Sequence, residues 1–318
     1  MKKGIFTLVL LVVSLLSTAQ TEPVYTQYMF NPVVINPAYV GLHDMTSLYL
    51  VHRNQWRDFD NDVNPMTTTL SGQTTIPKNN IGLGFSYVND RVPVQTTNEF
   101  NVMGSYKIPF GSKSLSFGVQ VGVMTAKYDY DHFKKDPDYI DDVYFSGEGK
   151  GDGVSPTLGA GVLWSSRKIF VGLSVPRLLE MKFDDGFGNG DVDVRSRIER
   201  NVLVTGGYVF HLDSRMKIKP SVLLKYTEGG FLSYDINTSV LFQENIWVGA
   251  SLRSSDIANF NSMSLMAQLK LSQLFVVGTA YEFPVDSKSV SQIGHTFELM
   301  LNFNFTVFDK QAVQTIFY

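Results

Sequence analysis

The sequence contains no cysteine among its 318 residues. A disulfide framework, a thiolate metal site and a lipid anchor on an N-terminal cysteine are therefore excluded. Beyond the first stretch, no apolar run approaches the ~18 residues of a transmembrane helix, which excludes a helical inner-membrane protein. Charge is sparse as well, because only 18% of the residues are charged and the formal net charge is −3. This balance gives no reason to expect a nucleic-acid partner.

The N-terminus reads "MKKGIFTLVLLVVSLLSTAQ". Two lysines precede an apolar run that ends in small residues, a pattern typical of a secretory signal peptide. We expect cleavage after Ala19. No Pro-rich or Ser-rich linker divides the remainder, so we predict three parts: a signal peptide at 1–19, an N-terminal leader or plug segment at 20–44, and one large domain at 45–318.

From residue 45 onward, apolar and polar residues alternate in segments close to the ~9–11 residues that a tilted strand needs to cross a bilayer. Alternation of period two predicts strands. In the segment 114–128 one face carries Leu115, Phe117, Val119, Val121 and Val123. Fourteen strands are predicted, at 45–53, 66–75, 80–89, 97–108, 113–129, 156–165, 168–176, 198–211, 214–226, 231–242, 245–254, 261–270, 273–283 and 294–307.

The connections between these strands alternate in length. Those after odd-numbered strands are long, including "NDRVPVQT" at 89–96, and only "TEGG" at 227–230 is short. Those after even-numbered strands are all short. Long outer loops, short periplasmic turns and an even number of strands are typical of outer-membrane barrels. We therefore predict an all-β, transmembrane outer-membrane β-barrel of about 14 antiparallel strands; a secreted β-sandwich or propeller is the alternative.

Charged residues within the predicted strands support the barrel. On a lipid-facing surface, a mid-membrane Lys or Arg would cost ~2–4 kcal/mol. Eight charged residues at mid-strand positions lie on the less apolar face, which we assign to the lumen. They are Glu99, Lys107, Lys219, Lys225, Asp235, Arg253, Glu282 and Glu298.

The leader contains "YTQYMFNPVVINPAYVG" at 25–41. Its two Asn-Pro pairs break any helix and favour turns. The segment is too apolar for a free tail, so we expect it to enter the lumen from the periplasmic side, with its Asn side chains supplying hydrogen bonds. It would either brace the barrel, or gate the pore, or present a surface to a periplasmic partner.

This opening resembles the signature of the PorP/SprF family of type IX secretion system outer-membrane proteins. The matching residues are Gln27, Tyr28, Met29, Asn31, Pro32, Ile35, Asn36, Pro37, Ala38, Tyr39 and Gly41. The resemblance continues in "HRNQW" at 52–56, "IGLGFSYVNDR" at 81–91, "GVLWSSRKIFVGLSVPRLL" at 161–179 and "KIKPSVLLKY" at 217–226. The Gly-Tyr-x-x-Asp-like segment of the family is altered here, at 278–282.

The resemblance implies an outer-membrane protein that works with type IX secretion components in the export or surface attachment of client proteins, including adhesins used in gliding motility. Its partners would be outer-membrane lipid, the secretion components and a client. We expect the partner or plug contacts to come from Gln27, Tyr28, Met29, Asn31, Pro32, Asn36, Pro37, Tyr39 and Gly41. Arg53 and Trp56, at the end of the first strand, are predicted among the same partner or plug contacts. The alternative is that Trp56 lies in the interface belt and that Arg53 and Arg57 reach the lipid headgroups.

No enzyme is expected. The five histidines are scattered, and neither an HExxH motif nor a G-x-S-x-G elbow is present. No cofactor is expected either, apart from calcium in the acidic runs 136–142 and 184–193, where carboxylates could supply its oxygen ligands. Charged loops of this kind are more often simply solvated.

Three functions therefore remain open. The first is a secretion component that works through protein contacts, with the luminal charges holding the leader or neutralising one another so that no pore is open. The second is a passive transporter of hydrophobic or small solutes, similar to the fatty-acid channels, which also have fourteen strands and an N-terminal plug. The third is a structural barrel that anchors other envelope proteins.

Overall fold

The computed structural model describes residues 25–42, 45–56, 64–76, 79–129, 150–179, 181–184, 195–198, 200–228, 231–254, 260–285 and 294–307. At 150–151, 181–184, 195–198 and 231 only the backbone is described. The predicted signal peptide, the run 136–142 and Arg57 lie outside the described residues, as do the side chains of the run 184–193.

Within this part of the chain, fourteen strands form the barrel. They are β1 Thr46–Asn54, β2 Met66–Ile76, β3 Ile81–Val92, β4 Gln95–Phe110, β5 Lys113–Asp129, β6 Lys150–Ser166, β7 Ile169–Val175, β8 Asn201–Tyr208, β9 Met216–Thr227, β10 Phe231–Phe242, β11 Ile246–Ser254, β12 Ser262–Lys270, β13 Phe275–Pro284 and β14 Thr296–Phe305. A short extension of β8 follows at Phe210–His211. A separate hairpin, the outer hairpin, is formed by Met181–Asp184 and Arg195–Ile198.

Every strand of the barrel pairs antiparallel with its sequence neighbours, and β1 also pairs with β14. Because β8 pairs with both β7 and β9, the circle has no open edge. The predicted fold, a closed outer-membrane barrel with a segment in its lumen, is confirmed. Among the described residues, no helix is long and apolar enough to cross a membrane.

One predicted connection is wrong. The stretch 89–96 was expected to be a long loop, but β3 and β4 run through it to a tight turn at Pro93 and Val94. Asp90 on β3 is paired with Thr97 on β4. The Asp90 carboxylate also accepts a hydrogen bond from Thr67 Oγ1 on β2 at 2.6 Å, which supports the pairing at this end. The other long connections lie at the same end of the barrel as this turn, and we call it the loop end. The opposite end, with the short connections, is called the turn end.

The two faces of the wall differ in composition. Large apolar side chains, such as Val119, Val171 and Phe303, are exposed on the outside. The inner face carries mostly Ser, Thr, Asn, Gln and charged residues, many of them buried. This division is what a lipid-facing exterior and a polar interior require.

Candidate functional site in the barrel lumen

The leader occupies the interior of the barrel. In this structure it is defined as residues Tyr25–Leu42, most of which are buried. Near the loop end, the Tyr25 hydroxyl is hydrogen-bonded to Thr69 Oγ1 at 2.7 Å. Near the turn end, the Val40 carbonyl accepts from Ser105 Oγ at 2.6 Å. The described leader thus runs from the loop end towards the turn end, so its first residue lies far from the predicted periplasmic entry.

Two short 3₁₀ helices, Pro32–Val34 and Pro37–Tyr39, give the leader its compact shape. Each begins with proline, whose fixed φ suits a first turn and whose missing N–H would have no partner there. Asn36 caps the second helix, since its Oδ1 accepts from Ala38 N at 2.8 Å. The helix is followed by Gly41 at φ +72°, a left-handed conformation that favours glycine.

The predicted Asn hydrogen bonds are present. Asn36 Nδ2 donates to the carbonyl oxygens of Val162 at 3.3 Å and Leu173 at 3.4 Å, on β6 and β7. Asn31 exchanges hydrogen bonds with the Ser71 hydroxyl on β2. Glycine at 161 is needed for this fit, because a Cβ there would collide with the Asn36 amide.

Five charged side chains form a buried cluster near the start of the leader. Arg53 contacts Glu282 at 3.0 Å and Glu298 at 3.2 Å. Arg253 contacts Glu282 at 2.9 Å and Asp235 at 3.0 Å. These residues come from β1, β10, β11, β13 and β14, so the network joins one side of the barrel. We call these five residues the anchor cluster.

The anchor cluster binds the leader backbone directly. Glu298 accepts from the backbone N–H of Thr26 at 2.8 Å and of Gln27 at 2.9 Å. Arg253 donates to the carbonyl of Tyr25 at 3.1 Å, and Arg53 donates to Thr26 Oγ1 at 2.6 Å. Hydrogen bonds to charged groups are the strong ones, and burial strengthens them further. The leader is therefore held at this end by ionic groups of the wall.

Aromatic contacts hold the middle of the leader. Phe30 meets Trp247 edge to face, with ring centroids 5.9 Å apart. The Lys219 ammonium lies 5.0 Å from the Trp247 ring and 5.6 Å from that of Phe30, within range of a cation–π interaction. Tyr39 packs on Phe170, and its hydroxyl lies 3.2 Å from Thr205 Oγ1.

Burial raises the pKa of the Tyr25 and Tyr39 phenols above the usual value, because the phenolate would lose its hydration. Both therefore stay neutral and act as hydrogen-bonding groups. Met29 and Pro32 line a small cavity between the leader and the wall, together with Tyr28 and Lys219.

A second buried ion pair lies across the lumen from the anchor cluster. Arg177, which follows β7, contacts Glu99 of β4 at 2.6 Å. Nδ2 of Asn101 donates to the other Glu99 oxygen at 2.8 Å. Sequence reasoning missed Arg177, because a single arginine in a connection has no periodicity that would show which way it points.

The remaining predicted residues are placed as follows. The side chain of Arg53 is 2% exposed and lies in the lumen, where it donates to Thr26 of the leader, so it has the position of a plug contact and the headgroup alternative is wrong. Trp56 is 36% exposed beyond the loop end of β1, and it has a φ of +57°. Lys107 and Lys225 lie half-buried on the inner face. Among the described residues, no group of three His, Asp or Glu side chains is arranged to hold a metal.

Solved outer-membrane barrels resemble the structure despite low sequence identity. A Pseudomonas aeruginosa FadL homologue is 12% identical, with a TM-score of 0.51; the match covers 84% of this chain and 92% of that one. The CymD monoaromatic hydrocarbon channel is 11% identical, with a TM-score of 0.50, covering 91% of this chain and 94% of that one. These likenesses show the fold alone. No curated protein sequence matches the chain.

The family is shown by sequence. The family model described as "Type IX secretion system membrane protein PorP/SprF" matches residues 17–303, which include the leader and all but the last residues of β14. Together with the barrel fold, this match places the protein in the outer membrane. The chain therefore belongs to the PorP/SprF family of type IX secretion system membrane proteins.

Proposed function

We propose that this protein is a closed, non-enzymatic barrel of the type IX secretion system that supports the export or surface attachment of client proteins through protein contacts. Gliding adhesins are one class of such clients. The observation that carries this proposal is the occupied lumen: the leader contacts the inner wall from β1 to β14 through buried polar and aromatic groups. A barrel filled in this way has little use as a conduit, and its remaining functional surfaces are its two ends.

The chemistry of the lumen supports contact over conduction. A conduit for hydrophobic solutes needs a continuous apolar path, whereas here the anchor cluster and the Arg177–Glu99 pair place charges of both signs near the loop end. Buried ion pairs are costly to separate, because either partner left alone would be a buried, unpaired charge. The interior is thus built to stay assembled.

The test compares the surface and secreted proteomes of wild-type cells with those of a strain lacking the gene. Complementation uses the intact gene, Glu298→Gln and Gly104→Ala. Glu298 holds the leader, whereas Gly104 lies within β4, away from both ends, and an added Cβ there meets nothing within 4 Å, so this change serves as the control. We expect one or a few exported proteins to be lost, and to be restored by the intact gene and Gly104→Ala but not by Glu298→Gln.

A passive transporter of hydrophobic or small solutes is the second candidate, and the fold likeness to a FadL homologue and to a hydrocarbon channel favours it. It predicts a different result in the same strains. An unchanged surface proteome, combined with altered uptake of a hydrophobic solute, would contradict the secretion proposal and support the transporter.

A further inference from the structure

Just after β7, at the loop end, the Pro176 carbonyl and the Arg177 side chain point into the lumen, while Leu178 is 38% exposed and stays paired with the wall. Leu178 N donates to the carbonyl of Leu158 at 2.6 Å. The carbonyl of Pro176 accepts from the inward-facing Gln120 Nε2 at 3.0 Å. Arg177, between them, is 7% exposed. We call Pro176–Arg177–Leu178 the inner strap.

The inner faces of β4, β5 and β6 provide the space and the polar groups that the inner strap contacts. A Cβ at Gly159 would collide with the Pro176 carbonyl, so this close approach needs glycine. Arg177 directs both Nε, at 3.2 Å, and Nη2, at 2.6 Å, to one oxygen of Glu99. Asn101 holds the other oxygen, and Thr157 donates to Asn101 at 2.5 Å. Residues of β4, β5 and β6 thus form a polar seat with one buried carboxylate at its centre.

The leader reaches the same wall at a different height. On β4 the leader contacts Ser105, whose hydroxyl donates to the Val40 carbonyl. Glu99 and Ser105 are six positions apart on one strand, which corresponds to ~20 Å along the strand at ~3.3 Å per residue. On β5 the leader lies against Gly118, where a Cβ would collide with the backbone of Pro37 and Ala38. At this wall the leader therefore fills the lower lumen, and the strap covers the inner face of β4, β5 and β6 above it.

We propose that the inner strap is a second closure of the lumen, independent of the leader and latched by the Arg177–Glu99 pair. Both side chains of the latch are almost fully buried, at 8% and 7% exposure, so removing one partner is costly. Loss of either one leaves the other as a buried, unpaired charge.

The test uses cysteine labelling, for which the cysteine-free chain is suited. Met124→Cys reports on the upper lumen, because Met124 is buried and lies directly opposite Glu99 in the β4–β5 pairing. Met103→Cys reports on the leader, because Met103 is buried in the cluster that contains Val33 and Val40. Each reporter is placed in the full chain, in cells exposed to a membrane-impermeant maleimide.

We expect Arg177→Ala to speed labelling of the Met124→Cys reporter by roughly tenfold or more, since ~1.4 kcal/mol of lost latch energy already corresponds to that factor. The Met103→Cys reporter should keep its rate. Arg200→Ala is the matched control, because the Arg200–Glu228 pair is 46% and 38% exposed. It should change neither reporter.

Two results would overturn the proposal: an unchanged rate for the Met124→Cys reporter, or an equal rise at both reporters. Glu99→Gln is the second variant and should act like Arg177→Ala, because it also removes the ion pair. The variants are compared only where unheated samples keep the electrophoretic mobility of the folded barrel. If Arg177→Ala does not fold, the labelling rates of the two reporters in Glu99→Gln are judged by the same criteria.

Discussion

Glu298→Gln should loosen the leader more than any other single isosteric change at the anchor cluster. The Glu298 carboxylate is 1% exposed and accepts two leader amides, at 2.8 and 2.9 Å, and the Arg53 guanidinium at 3.2 Å. The amide of glutamine keeps the shape and one acceptor oxygen. Its NH₂ group, however, faces donors on the leader and on Arg53.

The free energy lost in Glu298→Gln is large because the carboxylate and its partners are buried. Hydrogen bonds to charged groups contribute ~1.5–3 kcal/mol each, and breaking one side of a buried ion pair costs ~3–5 kcal/mol. A loss of ~3–5 kcal/mol in leader anchoring shifts the ratio of docked to undocked leader by roughly 150-fold to 4,000-fold. The barrel itself should remain folded, because the strand ladders that close it do not involve this side chain.

The assay follows maleimide labelling of Val33→Cys, a fully buried leader position where the change of side-chain volume is small. We expect its labelling rate in purified protein to rise roughly a hundredfold or more in the Glu298→Gln background, if labelling requires undocking. Glu244→Gln makes the same chemical change at a side chain that is 72% exposed, and should have no effect. Equal rates in the two backgrounds would refute the assignment of Glu298 as the leader anchor.

Three further predictions concern the fit between leader and wall. Asn36→Ala removes the cap of the second 3₁₀ helix and two bonds to carbonyls, so thermal denaturation should show a loss of ~1–3 kcal/mol; an unchanged midpoint would contradict this. Gly118→Ala should displace the leader and raise Val33→Cys labelling, whereas Gly104→Ala, whose Cβ meets nothing within 4 Å, should not; equal effects would exclude a steric cause. The buried Oγ of Ser264 has no protein partner among the described residues, and we expect ordered water to satisfy it; Ser264→Ala should then lower stability by about 1 kcal/mol, and a gain in stability would show a dry site.

The strands could be predicted because successive side chains of a barrel strand face lipid and the polar lumen in turn, which produces a period of two in the sequence. The predicted spans 113–129 and 231–242 coincide with β5 and β10. The third connection could not be predicted in the same way. Polar residues at 89–96 read as a loop, but in a wall that continues beyond the apolar belt they remain paired as strand.

Arg53 is absent from the predicted luminal charges because the pattern of β1 alone does not show that its side chain faces the lumen. Tyr49 and Val51 share its inward face, and on β1 that face looks apolar because both residues pack against Phe30 of the leader. Sequence parity alone cannot distinguish an inner face that contacts the leader from an outer face that contacts lipid. The path of the leader through the lumen could not be predicted either, because its contacts come from almost every strand and have no period in the sequence.

Both the proposed function and the inner strap require that the lumen of the protein is closed. Single-channel recording in planar bilayers tests it most directly, with the purified chain inserted at low density and scored for steady current. We expect insertion without a lasting open state, because the leader and the inner strap together fill the interior. A large, steady open current from the full-length protein would contradict it.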